Sequence, residues 1–231
     1  MSRPLLELRG VHRTYPGAVP VHALVDVDVS VDAGEFVALV GPSGSGKSTL
    51  LGLLGLLDRP TSGSIMLGDH DVSRARDGRR TRVRGDTIGF VFQQFHLIPH
   101  LTAVGNVETA LLYRHLGRRQ RRRQALEALD RVGLADRSDH RPVELSGGEQ
   151  QRVAVARALV TGPKIILADE PTGALDTANA ELVMQLLDSL PDQERAVVMV
   201  THDLALAARA QRQVKMRDGR IVEDTSAATA P

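Results

Sequence analysis

Five apolar residues, FVALV (Phe36–Val40), run directly into Gly41-Pro42-Ser43-Gly44-Ser45-Gly46-Lys47-Ser48-Thr49. No other stretch constrains the fold so tightly. A five-residue run that is apolar on both faces reads as a strand buried on both sides, which belongs to a parallel sheet covered by helices. The pattern G-x-x-x-x-G-K-[ST] then requires the strand to turn sharply and open a helix. Its glycines let the backbone wrap an anion with the N–H groups turned inward. The helix start adds partial positive charge. The stretch therefore reads as a phosphate cradle. Lys47 would reach β- and γ-phosphates, and the Ser48 hydroxyl would bind Mg²⁺.

Three more short apolar runs end in special residues. IGFVF (Ile88–Phe92) reaches Gln93, IILA (Ile165–Ala168) reaches Asp169, and AVVMV (Ala196–Val200) reaches Thr201 and His202. Helical patterns lie at Lys47–Leu57, Gln120–Val132, Gly148–Val160 and Ala178–Leu190. Strands and helices in alternation predict an α/β core. The N-terminal part differs: LLELRGV and ALVDVDVSV (Ala23–Val31) alternate apolar and polar residues, as half-exposed antiparallel strands do. Hairpins are expected around Gly68-Asp69 and Asp218-Gly219. From Gln94 to Val143 helical signals dominate, which reads as a helical insertion between core strands. The tail from Thr225 to Pro231 is expected to fray. No Gly-, Pro- or Ser-rich linker divides the 231 residues, so one domain is expected.

Lys and Arg number 29 against 28 Asp and Glu, a formal net charge of +1, which gives no global argument for nucleic acid. Cysteine is absent, excluding disulfides, thiolate chemistry and Cys-bound zinc. The longest apolar stretch, Leu50–Leu57, is far below the ~20 residues of a membrane span. The start, MSRPLLELRG, has no long apolar h-region. A cytoplasmic location is expected unless a partner holds the chain at a membrane. Two basic clusters, Arg74–Arg84 and Arg114–Arg123, read first as solvated surface, with anionic lipid or an acidic partner loop as the alternative.

Asp169 closes an apolar strand, where a carboxylate can hold Mg²⁺ through water, and Glu170 next to it can polarise an attacking water. A second anion cradle lies in Leu145-Ser146-Gly147-Gly148-Glu149-Gln150-Gln151-Arg152. Ser146 is a natural N-cap, and two glycines strip side chains from a helix start that offers unpaired N–H groups.

LSGGEQQR resembles the signature of ATP-binding-cassette (ABC) ATPases, and nearly the whole chain follows that family's order of motifs. The resemblance implies a P-loop NTPase of ABC type. Its fold would be a mostly parallel RecA-like sheet with an antiparallel β subdomain and an inserted helical subdomain. The core and β subdomain would span 1–93 and 160–231, and the helical subdomain with the signature 94–159. It implies ATP and Mg²⁺ as cofactors. Gln93 falls at the Q-loop glutamine, also a metal contact; Asp169 and Glu170 at the Walker-B aspartate and catalytic glutamate. Asp176 falls in the D-loop, His202 at the switch histidine, and Tyr15 at the aromatic that stacks on adenine. Two such domains pair head to tail in this family, so that Gly41–Thr49 of one and Ser146–Glu149 of the other enclose each ATP. A second copy, or a related ATPase subunit, is thus implied as partner.

The wording is similar to one subgroup, the ATPases of macrolide exporters and lipoprotein-release complexes, with a cell-division ATPase close to both. That implies a membrane permease with few transmembrane helices and a large extracytoplasmic domain, and a chain peripheral on the inner face of the membrane. The chain ends after the ATPase, so a separately encoded permease is expected. Gly105 departs from the subgroup, which usually has Glu there. This lies away from the nucleotide residues and is expected to bear on partner contact. The alternative reading is an ATPase regulator of a membrane activator of cell-wall enzymes, with nothing transported.

Overall fold

The computed structural model describes residues 3–225. Apart from Thr225, the expected frayed tail lies outside the described residues. The elements in chain order begin with β1 (Leu6–Tyr15), β2 (Val21–Val31), β3 (Phe36–Val40) and α1 (Lys47–Leu54). Next come β4 (Ser62–Leu67), β5 (His70–Asp71), α2 (Asp77–Thr87), β6 (Ile88–Phe92), α3 (Ala103–Glu108) and α4 (Arg118–Arg131). The remainder are α5 (Gly147–Leu159), β7 (Ile165–Asp169), α6 (Thr177–Asp188), β8 (Ala196–Val200), α7 (Leu204–Ala207), β9 (Arg212–Arg217) and β10 (Arg220–Asp224). They form two compact units. One holds the chain up to Arg84 and from Leu190 onward, the other Gly85–Ser189.

The first unit contains two sheets. In one, β2, β1, β4 and β5 are antiparallel in that order. Leu6 pairs with Val31 and Leu8 with Val29. All four are buried, as the alternation predicts for a sheet with one wet face. In the other, β3 lies between β8 and β9, parallel to both, and β10 adds antiparallel to β9. Every residue of β3 and β8 is buried, which is what their unbroken apolar runs require. The turn from β9 to β10 is the two-residue Asp218-Gly219, both left-handed at φ 47° and 74°, the geometry that matches the twist of a hairpin.

Helix α1 stops at Leu54, short of the expected Leu57. Leu57 N–H donates to Gly52 O (2.8 Å) and Leu56 N–H to Leu53 O (3.0 Å), with Leu56 left-handed at φ 53°. That is a Schellman-type end with leucine where glycine is usual. Burial of the Leu56 side chain offsets its backbone strain. The Arg74–Arg84 cluster is not merely solvated: it forms much of α2. Arg80 is buried and donates to the carbonyls of Val72 and Asp58, while Arg84 reaches Leu56 O at 3.1 Å. These two arginines satisfy carbonyls just beyond the end of α1.

In the second unit β6 and β7 form a parallel pair, Ile88 opposite Ile165 through Phe92 opposite Asp169. A Cβ at Gly89 would lie 2.5 Å from Ala158 O, so α5 packs directly on β6. The stretch 94–143 is helical as expected, and its core is Val104, Val107, Leu111, Ala125, Leu129 and Leu134. Buried Asn106 fixes the approach to α3, accepting from Ile98 N–H (2.6 Å) and donating to the carbonyls of Ile98, Leu101 and Thr102.

Candidate functional site

Parallel pairing decides what meets the glycine loop. Leu39 pairs with Val200, and Thr201 N–H donates to Leu39 O at 3.2 Å. The loop that follows β3 and His202 that follows β8 therefore leave the same sheet edge, the edge where ligands bind in such folds. His202 is exposed there. Asp203 caps α7 by accepting from Ala205 N–H (2.8 Å) and Leu206 N–H (3.3 Å).

The loop is built around its own backbone. Gly46, at φ 100°, is the N-cap of α1, and a Cβ there would lie 2.5 Å from Ala23 O. Only glycine fits. Helix α1 opens with no side-chain cap and no acidic residue in its first turn, so its initial N–H groups are left for another acceptor. Lys47 is folded inward and donates to Gly41 O (2.8 Å) and Pro42 O (2.9 Å). Ser45 Oγ, in a residue 2% exposed, has no hydrogen-bond partner among the described residues. An inward ammonium, an uncapped helix start and an orphaned hydroxyl fit a polyphosphate. Tyr15 ends β1, where it pairs with Val21, two residues before the Ala23 carbonyl that touches Gly46. Its hydroxyl donates to Asp58 Oδ2 at 2.8 Å.

The second unit carries the remaining residues named from sequence. Phe92 pairs with Asp169, so Gln93 and Glu170 leave adjacent strands at one edge. Glu170 adopts a left-handed φ of 45°, an uncommon conformation for a residue with a Cβ and one that costs on the order of 1 kcal/mol. The Gln93 side chain lies over Gly173, its Nε2 2.8 Å from where a Cβ would stand. Ser146 caps α5 by accepting from Glu149 N–H (3.3 Å), and the Glu149 carboxylate accepts from Ser146 N–H (2.8 Å). This capping box turns Glu149 back on its own backbone, and the Ser146 N–H holds its carboxyl below the usual carboxylate range. Asp176 caps α6, accepting from Asn179 N–H (2.9 Å) and Asn179 Nδ2 (2.7 Å). The Asn179 N–H likewise holds the Asp176 carboxyl below the usual carboxylate range. The Asn179 side chain fills the space a Cβ at Gly148 would need, whereas a Cβ at Gly147 would meet nothing closer than Leu175 at 3.6 Å. Gly148 is thus fixed by packing within the chain, and Gly147 is not.

Sequence reasoning missed Gln151 and Asn179. Gln151 is fully buried and donates through Nε2 to Phe92 O (3.2 Å) and Pro171 O (2.5 Å), joining the strand before Gln93 to the segment after Glu170. A second glutamine inside an otherwise apolar helix face was the available signal.

Strand, glycine loop and helix in one unit, and a Ser-capped Gly-Gly helix in the other, define a P-loop α/β cassette. Residues 24–173 match the family described as "ABC transporter". The chain is 48% identical over 221 residues to the uncharacterized ABC transporter ATP-binding protein YvrO of Bacillus subtilis, covering 95% of this chain and 96% of that one. It is 51% identical over 222 residues to the macrolide export ATP-binding/permease protein MacB 1/2 of Paracoccus denitrificans, covering 96% of this chain and 33% of that protein. The chain therefore spans about a third of the length of the macrolide-export relatives it matches. The dimeric ATP-binding cassette MJ0796, in a post-hydrolysis state bound to ADP and Pi, superposes with a TM-score of 0.87 at 45% identity, over 95% of this chain and 97% of that one. The chain belongs to the ABC transporter family. Among the described residues no helix is long and apolar enough to cross a membrane.

Proposed function

We propose that the chain is the ATP-binding and ATP-hydrolysing subunit of an export-type or mechanotransmission ABC complex. It would couple ATP-driven dimer closure to a separately encoded permease that holds it at the inner face of the membrane. One observation carries the reading. The loop Gly41–Thr49 has an inward Lys47, an orphaned Ser45 hydroxyl and an uncapped helix behind it, in a chain alike over nearly its full length to a known cassette.

In this reading the loop backbone and Lys47 bind the phosphates, and Tyr15 meets the base. Ser48, Gln93 and Asp169 would hold Mg²⁺, which when bound neutralises phosphate charge. No cage of three His, Asp or Glu occurs among the described residues, which suits an ion that keeps waters and phosphate oxygens as most of its ligands. Glu170 orients and deprotonates the attacking water, and His202 keeps the γ-phosphate and that water in register. Ser146, Gly147 and the start of α5 face the nucleotide of a second copy, and Gly147 leaves that approach open. Asp176 and Glu149 serve by holding the two helix starts in shape.

Glu170→Gln should bind ATP, hydrolyse it very slowly and accumulate as a dimer on sizing with Mg·ATP. Lys47→Ala should lose ATP affinity. A Glu170→Gln protein that turns over normally and stays monomeric at high concentration overturns the reading. Purifying tagged Glu170→Gln from detergent-solubilised membranes with Mg·ATP tests the partner. A permease with few membrane helices and a large outer domain is expected. Recovery of a cell-wall hydrolase activator in its place favours the regulatory alternative.

A further inference from the structure

The end of β1 holds more than an aromatic ring. Arg13 and Tyr15 are two residues apart on a strand, so their side chains share a face. Arg13 Nε and the Tyr15 hydroxyl both donate to one oxygen, Asp58 Oδ2, each at 2.8 Å. The Arg13 guanidinium carbon sits 4.2 Å from the Tyr15 ring centroid, within cation–π range. Asp58 is itself fixed at two further atoms. Its Oδ1 accepts from Arg59 N–H at 2.7 Å, and its carbonyl accepts from buried Arg80. Thr14 between them is anchored by its N–H to Thr61 Oγ1 (2.9 Å).

The consequence is a ring with one covered face. The guanidinium occupies one side, the hydroxyl is pinned, and the residue is still 36% exposed. A flat ligand can stack only on the other side, and it meets a ring that has already lost its rotamer freedom. Stacking then forfeits little side-chain entropy. We propose that Arg13 and Asp58 are positioning residues that hold Tyr15 as a one-sided platform for the purine base of the nucleotide. This rests on the reading of Tyr15 given above and adds how the platform is made and which residues set base affinity. An ordinary strand-end ion pair would affect stability alone. A platform affects ATP but not a ligand that lacks a base.

The test compares two ligands on purified full chain. Affinities for Mg·ATP and Mg·tripolyphosphate are measured by calorimetry for the parent, Arg13→Ala, Arg13→Lys, Asp58→Asn and Tyr15→Ala. Arg13→Ala is expected to weaken ATP about three- to tenfold and to leave tripolyphosphate within about twofold. Arg13→Lys should recover part of the loss, because a cation returns without the planar fork. The chain has no Trp and two Tyr, so in a Tyr113→Phe background tyrosine emission reports Tyr15 alone. Base stacking should quench that emission in the parent and less in Arg13→Ala. If Arg13→Ala leaves both affinities unchanged, or lowers both equally, the platform is overturned. If Tyr15→Ala itself leaves the ratio of the two affinities unchanged, the base-stacking role of Tyr15 fails, a separate result. Asp58→Asn should match Arg13→Ala in ratio, since the backbone carbonyl that accepts from Arg80 is unchanged by it; if the Asn variant fails to fold, Arg13→Ala decides.

Discussion

Replacing Gly105 by glutamate should stabilise the protein. Thr102 is the N-cap of α3 and accepts from Gly105 N–H at 3.1 Å, but with glycine at this position no side chain returns to the Thr102 N–H. Half of a capping box is present, and T-x-x-E completes it. Three contributions point the same way. Glycine to glutamate inside a helix is worth roughly 0.5–0.8 kcal/mol. An acid in the first turn, where α3 has none, adds roughly 0.3–1 kcal/mol. The reciprocal hydrogen bond adds about 0.5 kcal/mol. Against them, a Cβ at 105 would lie 3.3 Å from both Leu101 Cβ and Thr102 Oγ1, so each must give by tenths of an ångström. A net gain of about 1–2 kcal/mol remains, which at this chain length raises Tm by roughly 3–6 °C. Calorimetric Tm of Gly105→Glu, Gly105→Gln and Gly105→Glu with Thr102→Ala gives the answer. Gln should gain less than Glu, and Thr102→Ala should cancel most of the benefit. A lowered Tm for Gly105→Glu would refute the reasoning and make the crowding at Leu101 the dominant effect. The expected tie between Gly105 and partner contact then has a local rival: what this departure changes first is a helix start.

Gln151→Met strips a donor from Phe92 O and Pro171 O but also removes Gln151 Oε1, which has no partner among the described residues. Two lost partners at about 1–3 kcal/mol each, less one orphan removed, give a net loss of about 1–3 kcal/mol; Gln151→Glu, read by the same urea midpoint, should be worse. Gly148→Ala should lose about 1–3 kcal/mol against Asn179, while Gly147→Ala keeps its Tm and, in the proposed dimer, loses ATP turnover. Arg212 is buried between Glu35 (3.1 Å) and Asp224 (2.6 Å), so Arg212→Leu should lower the urea midpoint by the equivalent of about 3–5 kcal/mol. Asp71, Glu149 and Asp176 are all held below the usual carboxylate range by hydrogen bonds, from Ser73, from Ser146 N–H and from Asn179 N–H respectively. Their contribution is present above the ordinary range near 4 and is lost as pH falls through their lowered values. Glu149→Gln should therefore show a shallower acid loss in a pH series of urea melts.

What the sequence made legible follows from how local each signal is. Four apolar runs marked four strands: Phe36–Val40, Ile165–Ala168 and Ala196–Val200 are buried throughout, because burial on both faces leaves no place for a polar residue, while β6, at the sheet edge, keeps Phe90 and Phe92 half-buried. Asp218-Gly219 marked its hairpin because few pairs tolerate two left-handed residues. The end of α1 was not legible, since its left-handed position is held by Leu56, whose reward is burial and not backbone freedom. Nor was Arg80, one arginine in a basic cluster, whose partners are carbonyls of residues 8 and 22 positions away. The proposed site residues were nameable one by one from their motifs. The bonds among Gln151, Phe92 and Pro171, and among Arg13, Tyr15 and Asp58, join segments tens of residues apart, and no pattern of spacing announces them.

The positions where local physics is least satisfied coincide with the residues assigned to chemistry. Glu170 carries a left-handed backbone with a Cβ, Ser45 buries an unbonded hydroxyl, and α1 begins without a cap. Gly147 accepts the conformational entropy of glycine with no contact among the described residues that requires it. Asp176 and Glu149, named from the same motifs, are by contrast fully engaged as caps. That contrast separates two kinds of motif residue. Those whose needs are met within the chain shape the site, and their replacement should register in stability first. In the proposed reading Ser45, the start of α1 and Gly147 meet a ligand or a second copy, and replacement there should register in binding or turnover first. Glu170→Gly and Glu170→Ala isolate the backbone strain: both lose the side chain and should abolish ATP hydrolysis, but glycine relieves the left-handed φ and its variant should melt higher than the alanine one. A glycine variant that melts no higher than the alanine one would mean that the left-handed φ of Glu170 carries no strain to relieve.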